Sequence, residues 1–99
     1  MNVTIRYSAA SDLSELARLA ALDSASPPRG PALVAEADSR MLAALPLGSG
    51  RPIADPFEPT AHVVALLQLR ADQMRAADSE RRGVRERVRS LLRLRPSHA

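Results

Sequence analysis

The chain begins with alternating side chains and then changes to helical spacing. Residues 2–7 alternate polar and apolar positions and contain β-branched side chains, which predicts a first strand. Residues 13–22 place apolar side chains three and four positions apart, which predicts a helix. Ser8 or Ser11 is expected to cap this helix through its hydroxyl, and Asp12 is expected to favour its positive end.

Three more short apolar segments follow a proline-rich loop. Residues 31–37 are apolar almost throughout, which predicts a strand buried on both faces for part of its length. Residues 38–40 carry turn chemistry, so residues 41–45 are predicted to return as the next strand. A second turn at residues 48–50 leads into a short strand at residues 51–55. The sheet is therefore predicted to be mainly antiparallel.

The second half of the chain is dominated by helical spacing. Thr60 is the expected N-cap of a helix that is predicted to reach at least Ala77, and Gly83 is a position that can interrupt it. One stripe of this helix is expected to pack on the sheet: Val63, Leu66, Leu67, Ala71 and Met74. Beyond Gly83 a narrower apolar stripe is surrounded by Arg: Val84, Val88, Leu91 and Leu92.

The element order β-α-β-β-β-α predicts a small two-layer α/β fold. Its mainly antiparallel four-stranded sheet carries two packed helices and is followed by an Arg-rich C-terminal helix. Residues 1–77 are predicted to form the body, and residues 78–99 the amphipathic C-terminal helix or tail. The strand at residues 51–55 is expected to be a sheet edge, where Pro52 and Pro56 discourage pairing with another chain.

Composition narrows the class of protein. With 99 residues and a mass of 10.7 kDa, the chain has room for one small domain. It contains no cysteine, which excludes disulfides, thiolate zinc sites and cysteine nucleophiles, and a cytoplasmic location is expected. No apolar run is long enough to predict a transmembrane helix, and no signal peptide is expected.

The positive charge is concentrated near the C-terminus. Residues 1–77 carry seven Arg and eight acidic residues, net −1, whereas residues 78–99 carry seven Arg and three acidic residues, net +4. Three interpretations of the basic segment stay open: contact with nucleic acid, binding at an anionic membrane surface, and packing of its apolar stripe on protein. The membrane is less favoured because the segment lacks Trp and Phe. The candidate polyanion-binding residues are Arg81, Arg82, Arg85, Arg87, Arg89, Arg93 and Arg95.

Several segments resemble the GNAT superfamily of N-acetyltransferases. Residues 3–13 resemble its opening strand, which ends in an Ile-Arg pair before a helix that begins near an Asp, and residues 16–20 continue like its first helix. Residues 33–40 are similar to its hairpin segment, in which Val-Ala-Glu precedes a short polar turn. Residues 41–45 and 53–56 resemble the next two strands. The chain also looks like the short GNAT-like proteins of high-GC bacteria.

The resemblance spans residues 3–77 and implies the N-terminal half of a GNAT domain. A full member holds acetyl-coenzyme A with a Gly-containing loop after the fourth strand, where backbone N–H groups approach the pyrophosphate. The matching residues 55–61 contain no Gly, lose two N–H donors to proline, and carry Asp55 and Glu58 where the phosphates would lie. Acetyl-coenzyme A is therefore expected only if the resemblance extends to activity. No catalytic or cofactor-binding residue is transferred from the family.

Other candidate chemistry is sparse. His62 and His98 are far apart and have only acidic residues as neighbours of the right type, so no metal site is expected. Asp55 and Glu58 could form a general-base pair, since one carboxylate can raise the pKa of another. The favoured alternative is structural: Asp55 caps a turn, and Glu58 lies at a helix N-terminus. No serine is expected near a histidine, so no serine nucleophile is supported. The aromatic side chains are expected to pack in the core: Tyr7 and Phe57.

Three hypotheses about function follow, and whether the chain is an enzyme stays open. The first hypothesis is a truncated, non-catalytic GNAT-like interaction module that binds a protein partner and self-associates. Its alternatives are an N-acetyltransferase that works only as an assembled oligomer, and binding of nucleic acid or an anionic surface through the Arg-rich tail. The candidate interface residues are Leu66, Met74, Val84, Val88, Leu91 and Leu92.

Overall fold

The computed structural model describes residues 2–93 as a four-stranded sheet with two α-helices. The strands pair in the order β1-β2-β3-β4, and every pairing is antiparallel. The predicted small α/β fold with an antiparallel four-stranded sheet and two packed helices is confirmed. The elements are β1 (Thr4–Tyr7), a 3-10 turn (Ala10–Asp12), α1 (Leu13–Leu22), β2 (Ala32–Ala37), β3 (Arg40–Pro46), β4 (Ile53–Ala54) and α2 (Ala61–Arg93).

The turn between β2 and β3 is formed by Asp38 and Ser39. Both residues have positive φ angles, 53° and 64°, as a two-residue type I′ hairpin turn requires. Asp tolerates this left-handed conformation because its short polar side chain can bond locally. The turn predicted for residues 38–40 is confirmed.

Each helix covers one face of the sheet, because alternate residues of β2 and β3 point to opposite faces. On one face, Leu16 and Leu19 of α1 pack with side chains of the sheet: Val34, Ala44 and Ile53. On the other face, Val63 and Leu67 of α2 pack with Leu33, Ala43 and Leu45. Residues Ala32–Ala35 are buried by this double cover, as the continuous apolar pattern of that strand predicted.

A β-bulge in β3 alters which side chains reach the α1 face. Ala35 pairs with Ala43 but Glu36 pairs with Met41, so Leu42 is an extra residue in β3. The inserted residue reverses the alternation, and Met41 consequently joins the core beneath α1. Simple alternation along residues 41–45 does not show this shift.

The start of α1 is fixed by an ion pair rather than by a serine cap. Arg6 of β1 donates two hydrogen bonds of 2.8 Å to the Asp12 carboxylate, which also accepts the Ala9 N–H at 2.7 Å. Ser8 instead accepts a hydrogen bond from the N–H of Ala32, and no side-chain cap bond is present at α1. The expected serine cap is therefore wrong, because Asp12 bonds to Ala9 and Arg6 across the turn.

Helix α2 is continuous from Ala61 to Arg93, so Gly83 does not interrupt it. Val63, Leu67 and Ala71 are buried against the sheet, whereas every residue from Asp78 to Arg93 is exposed. The radius of gyration is 18.9 Å, compared with about 13 Å for a compact domain of this length. The distal half of α2, defined here as residues 78–93, therefore extends beyond the body for about 24 Å.

The Arg6–Asp12 pair predicts acid sensitivity. Hydrogen bonds from Arg6 and then from Ala9 lower the pKa of Asp12 to about 2 from its ordinary value of 3.8. A lowered pKa stabilises the fold above the ordinary value, so this contribution should be lost as pH falls from 4 to 2. We expect a loss of about 1 to 2 kcal/mol in the free energy of unfolding over this range.

Urea unfolding at a series of pH values measures this loss, with Asp12→Asn as the matched variant. Since the amide side chain that replaces the carboxylate does not titrate, the variant should be less stable at pH 7 and should lose less stability between pH 4 and pH 2. Equal acid sensitivity in the two proteins would contradict this role of Asp12.

Candidate functional site

The loop between β4 and α2, residues 55–60, is the position at which the GNAT resemblance places a coenzyme. Asp55 is fully buried, and its Oδ1 accepts the N–H of Phe57 at 2.9 Å. The N–H of Glu58 donates to the carbonyl oxygen of Asp55 at 3.4 Å. Pro56 and Pro59 have no N–H to offer. The amides of residues 56–59 are thus either absent or bonded within the loop, and they form no cradle for a phosphate.

The same contacts decide between the two interpretations of the loop carboxylates. Asp55 caps the turn through Phe57, as favoured from the sequence. Glu58 is exposed, whereas Asp55 is buried, so their surroundings differ. The arrangement is therefore that of a structural turn that leads into α2, where the Thr60 carbonyl accepts the first helical N–H, from Val64.

Asp55 also faces two guanidinium groups that sequence reasoning missed. Its Oδ2 lies 3.9 Å from Nη1 of Arg18 in α1 and 3.7 Å from Nη2 of Arg40 in the hairpin. Arg18 in addition donates to the carbonyl oxygen of Met41 at 2.8 Å and bonds to Glu15, which lowers the pKa of that carboxyl. The group joins α1, the β2–β3 hairpin and the loop before α2, and it holds the turn in place.

Among residues 2–93, the remaining polar candidates do not come together in one place. His62 is exposed in the first turn of α2. Within residues 2–93 no group of three or more metal-ligating side chains comes together. His98 and Arg95 lie outside the described residues.

Both aromatic side chains are exposed, so the expectation that they pack in the core is wrong. Tyr7 is 59% exposed and Phe57 is 81% exposed. Tyr7 ends the edge strand β1, with its hydroxyl 3.9 Å from the sulfur of Met74, and Phe57 follows Pro56 in the loop. One helix covers each face of this four-stranded sheet. A residue at the edge of the sheet or in a loop beyond it therefore lacks a neighbour on one side.

The candidate interface residues fall into two groups along α2. Met74 is half-buried beside the sheet, and Leu66 is 45% exposed although it lies on the half of α2 that packs. The other four are on the distal half and are 50–67% exposed: Val84, Val88, Leu91 and Leu92. They form the distal apolar stripe, which contacts no other part of residues 2–93.

Most basic side chains of the distal half lie beside the apolar stripe on one face. At 3.6 residues per turn, this face contains Arg82, Arg85, Arg89 and Arg93. Arg87 lies on the other side of the stripe, and Arg81 lies in line with the stripe, between Val88 and Leu92. Arg81 pairs with Asp78 at 3.4 Å, and Arg89 pairs with Glu86 at 3.2 Å. These exposed pairs within one helix contribute only a few tenths of a kcal/mol each.

Comparisons of this chain with protein-family models, with curated proteins and with solved structures find no match. Among the described residues, no helix is both long and apolar enough to cross a membrane. The contacts of the described residues are therefore the basis for inferring a function.

The loop geometry predicts weak or absent binding of acetyl-coenzyme A. Thermal unfolding should be unchanged when acetyl-coenzyme A is added at millimolar concentration, because residues 55–59 bond internally and place Glu58 near any phosphate. A ligand present at 100 times its dissociation constant would stabilise the protein by about 2.7 kcal/mol. A shift of that size would contradict this interpretation and would favour the acetyltransferase.

Proposed function

We propose that this chain is a non-catalytic GNAT-like interaction module that associates through the distal half of α2, with a second copy as its partner. The observation that carries the proposal is the distal apolar stripe, which is exposed on a helix that continues past the sheet. Fully burying a Val or Leu side chain contributes about 1.5–3 kcal/mol, so the four residues together can offset much of the cost of association.

The amount of exposed surface supports association. A compact monomer of 10.7 kDa exposes about 5,500 Å², whereas this chain exposes 7117 Å². The excess of about 1,600 Å² is twice the area that each partner buries in an interface of standard size. The chain therefore has enough spare surface for a stable dimer without any change in its body.

The stability of the distal half gives a second argument. Most of the stability of a helix in a protein comes from packing of its apolar face, and a Gly inside a helix costs about 1 kcal/mol relative to Ala. Gly83 lies inside the distal half and packs against nothing within 4 Å. A partner helix against the distal apolar stripe would supply the packing that the body does not.

Sedimentation of the full chain at micromolar concentration tests the proposal. The wild-type protein should sediment as a dimer, and Val88→Asp should sediment as a monomer because it places a charge in the stripe. Ser90→Asp is the matched control, since it adds the same charge two residues away on another face of the same helix. A wild-type monomer, or equal effects of both substitutions, would overturn the proposal.

A second candidate function is the binding of a nucleic acid along the basic face. It is favoured by the shared face of Arg82, Arg85, Arg89 and Arg93, all of which are exposed. Such binding should weaken steeply with salt, by a log–log slope of about −0.9 for each phosphate contacted on duplex DNA. Replacing Arg85, Arg89 and Arg93 by Ser should reduce that slope by about 3, whereas affinity that is independent of salt would contradict it.

A further inference from the structure

We propose that the two copies pair with their α2 helices antiparallel and overlapping along most of their length, so that the distal half of one covers the proximal half (residues 61–77) of the other. The inference rests on the proposed function and adds the direction and extent of pairing. It also accounts for an observation that pairing through the distal halves alone would leave unexplained. Leu66 and Leu69 are 45% and 54% exposed, although α2 packs on the sheet at that level.

A single line along α2 joins the proximal and distal apolar positions. Leu66 and Val84 are 18 residues apart, which is five turns of an α-helix, and Leu91 lies seven residues beyond Val84. Ala77 lies near the middle of the same line. The sheet-facing residues Val63, Leu67 and Ala71 are centred about a quarter of a turn away. The line from Leu66 through Ala77 and Val84 to Leu91, called the seam here, therefore does not face the sheet on which α2 packs.

The distribution of charge decides the direction of pairing. The proximal half carries two Arg and one Asp, and the next three residues add Asp78 and Glu80. Residues 81–93 carry six Arg and one Glu, a net charge of +5. Parallel helices would place one +5 segment beside the other, which is repulsive. Antiparallel overlap separates the two +5 segments and sets each beside the start of the partner's α2, residues 61–73, where one Arg and one Asp cancel.

The small side chain of Ala77 suits the centre of such a pair. With Ala77 at the two-fold axis, Leu66 of one copy faces Val88 of the other, since both are 11 residues from the centre. The same register places Val84 beside Arg70 and keeps Arg81 beside Gln73 rather than beside another Arg. Two copies of the Val88 position are then about 33 Å apart, which a disulfide cannot span.

Disulfide cross-linking tests this arrangement directly because the chain has no native cysteine. Leu66→Cys and Val88→Cys are made separately in the full chain and oxidised alone and as an equimolar mixture. The mixture should give a disulfide-linked dimer at a yield about tenfold above that of Val88→Cys alone, since only unlike positions come within bonding distance. Gln68→Cys, on the opposite face of α2, replaces Leu66→Cys in the control mixture and should not cross-link.

The outcomes separate this inference from the proposed function. Efficient cross-linking of Val88→Cys with itself would show parallel pairing or pairing of the distal halves alone, and would overturn the inference while the dimer stands. A dimer that cross-links at neither combination would overturn it as well. A protein that sediments as a monomer would overturn the proposed function and the inference together.

A charge substitution on the proximal half gives a second measurement. Leu66→Glu should raise the dimer dissociation constant by more than about tenfold, because Leu66 faces a hydrophobic side chain of the partner. Gln68→Glu introduces the same charge away from the seam and should change it by less than about twofold. An unchanged dissociation constant in Leu66→Glu, with the fold intact by circular dichroism, would overturn the extensive overlap.

Discussion

The length of α2 relative to the sheet is the constraint from which the main functional argument follows. A strand of six or seven residues is about 20 Å long, whereas a helix of 33 residues is about 50 Å long. The sheet can therefore bury only the first part of α2, from Val63 to Ala71. The continuation must be covered by another molecule or stand in water with its apolar side chains exposed.

The body of the protein positions this helix through the loop that precedes it. Asp55, at the end of β4, bonds to Phe57 and faces Arg18 and Arg40, so the approach to α2 is held by buried charge. Asp55 is the buried member of this group, and the two guanidinium groups compensate its charge. The same bonds use the loop amides that a phosphate would need. Holding the start of α2 and leaving its loop unable to cradle a phosphate are thus two consequences of one arrangement.

The sequence was informative where the governing contacts are local. Alternation and β-branching located β1, turn chemistry located the hairpin at Asp38 and Ser39, and helical spacing located α1 to its last residue. Pairings distant in sequence were not visible. The Arg18–Asp55 contact joins residues 37 positions apart, and the bulge at Leu42 depends on how β2 and β3 align. Gly83 was a weak local signal that the continuous helix overrode. The exposure of Tyr7 likewise depends on which strand forms the sheet edge.

Amide hydrogen exchange of α2 at two protein concentrations tests the central claim most directly. If a second copy covers the distal half, amides 82–93 should be protected at high concentration and lose protection on dilution below the dissociation constant. Amides 65–77 should stay more protected at both concentrations, because the sheet covers that part of the helix in the monomer. Distal amides that exchange rapidly at every concentration, or that stay protected however far the protein is diluted, would contradict the account.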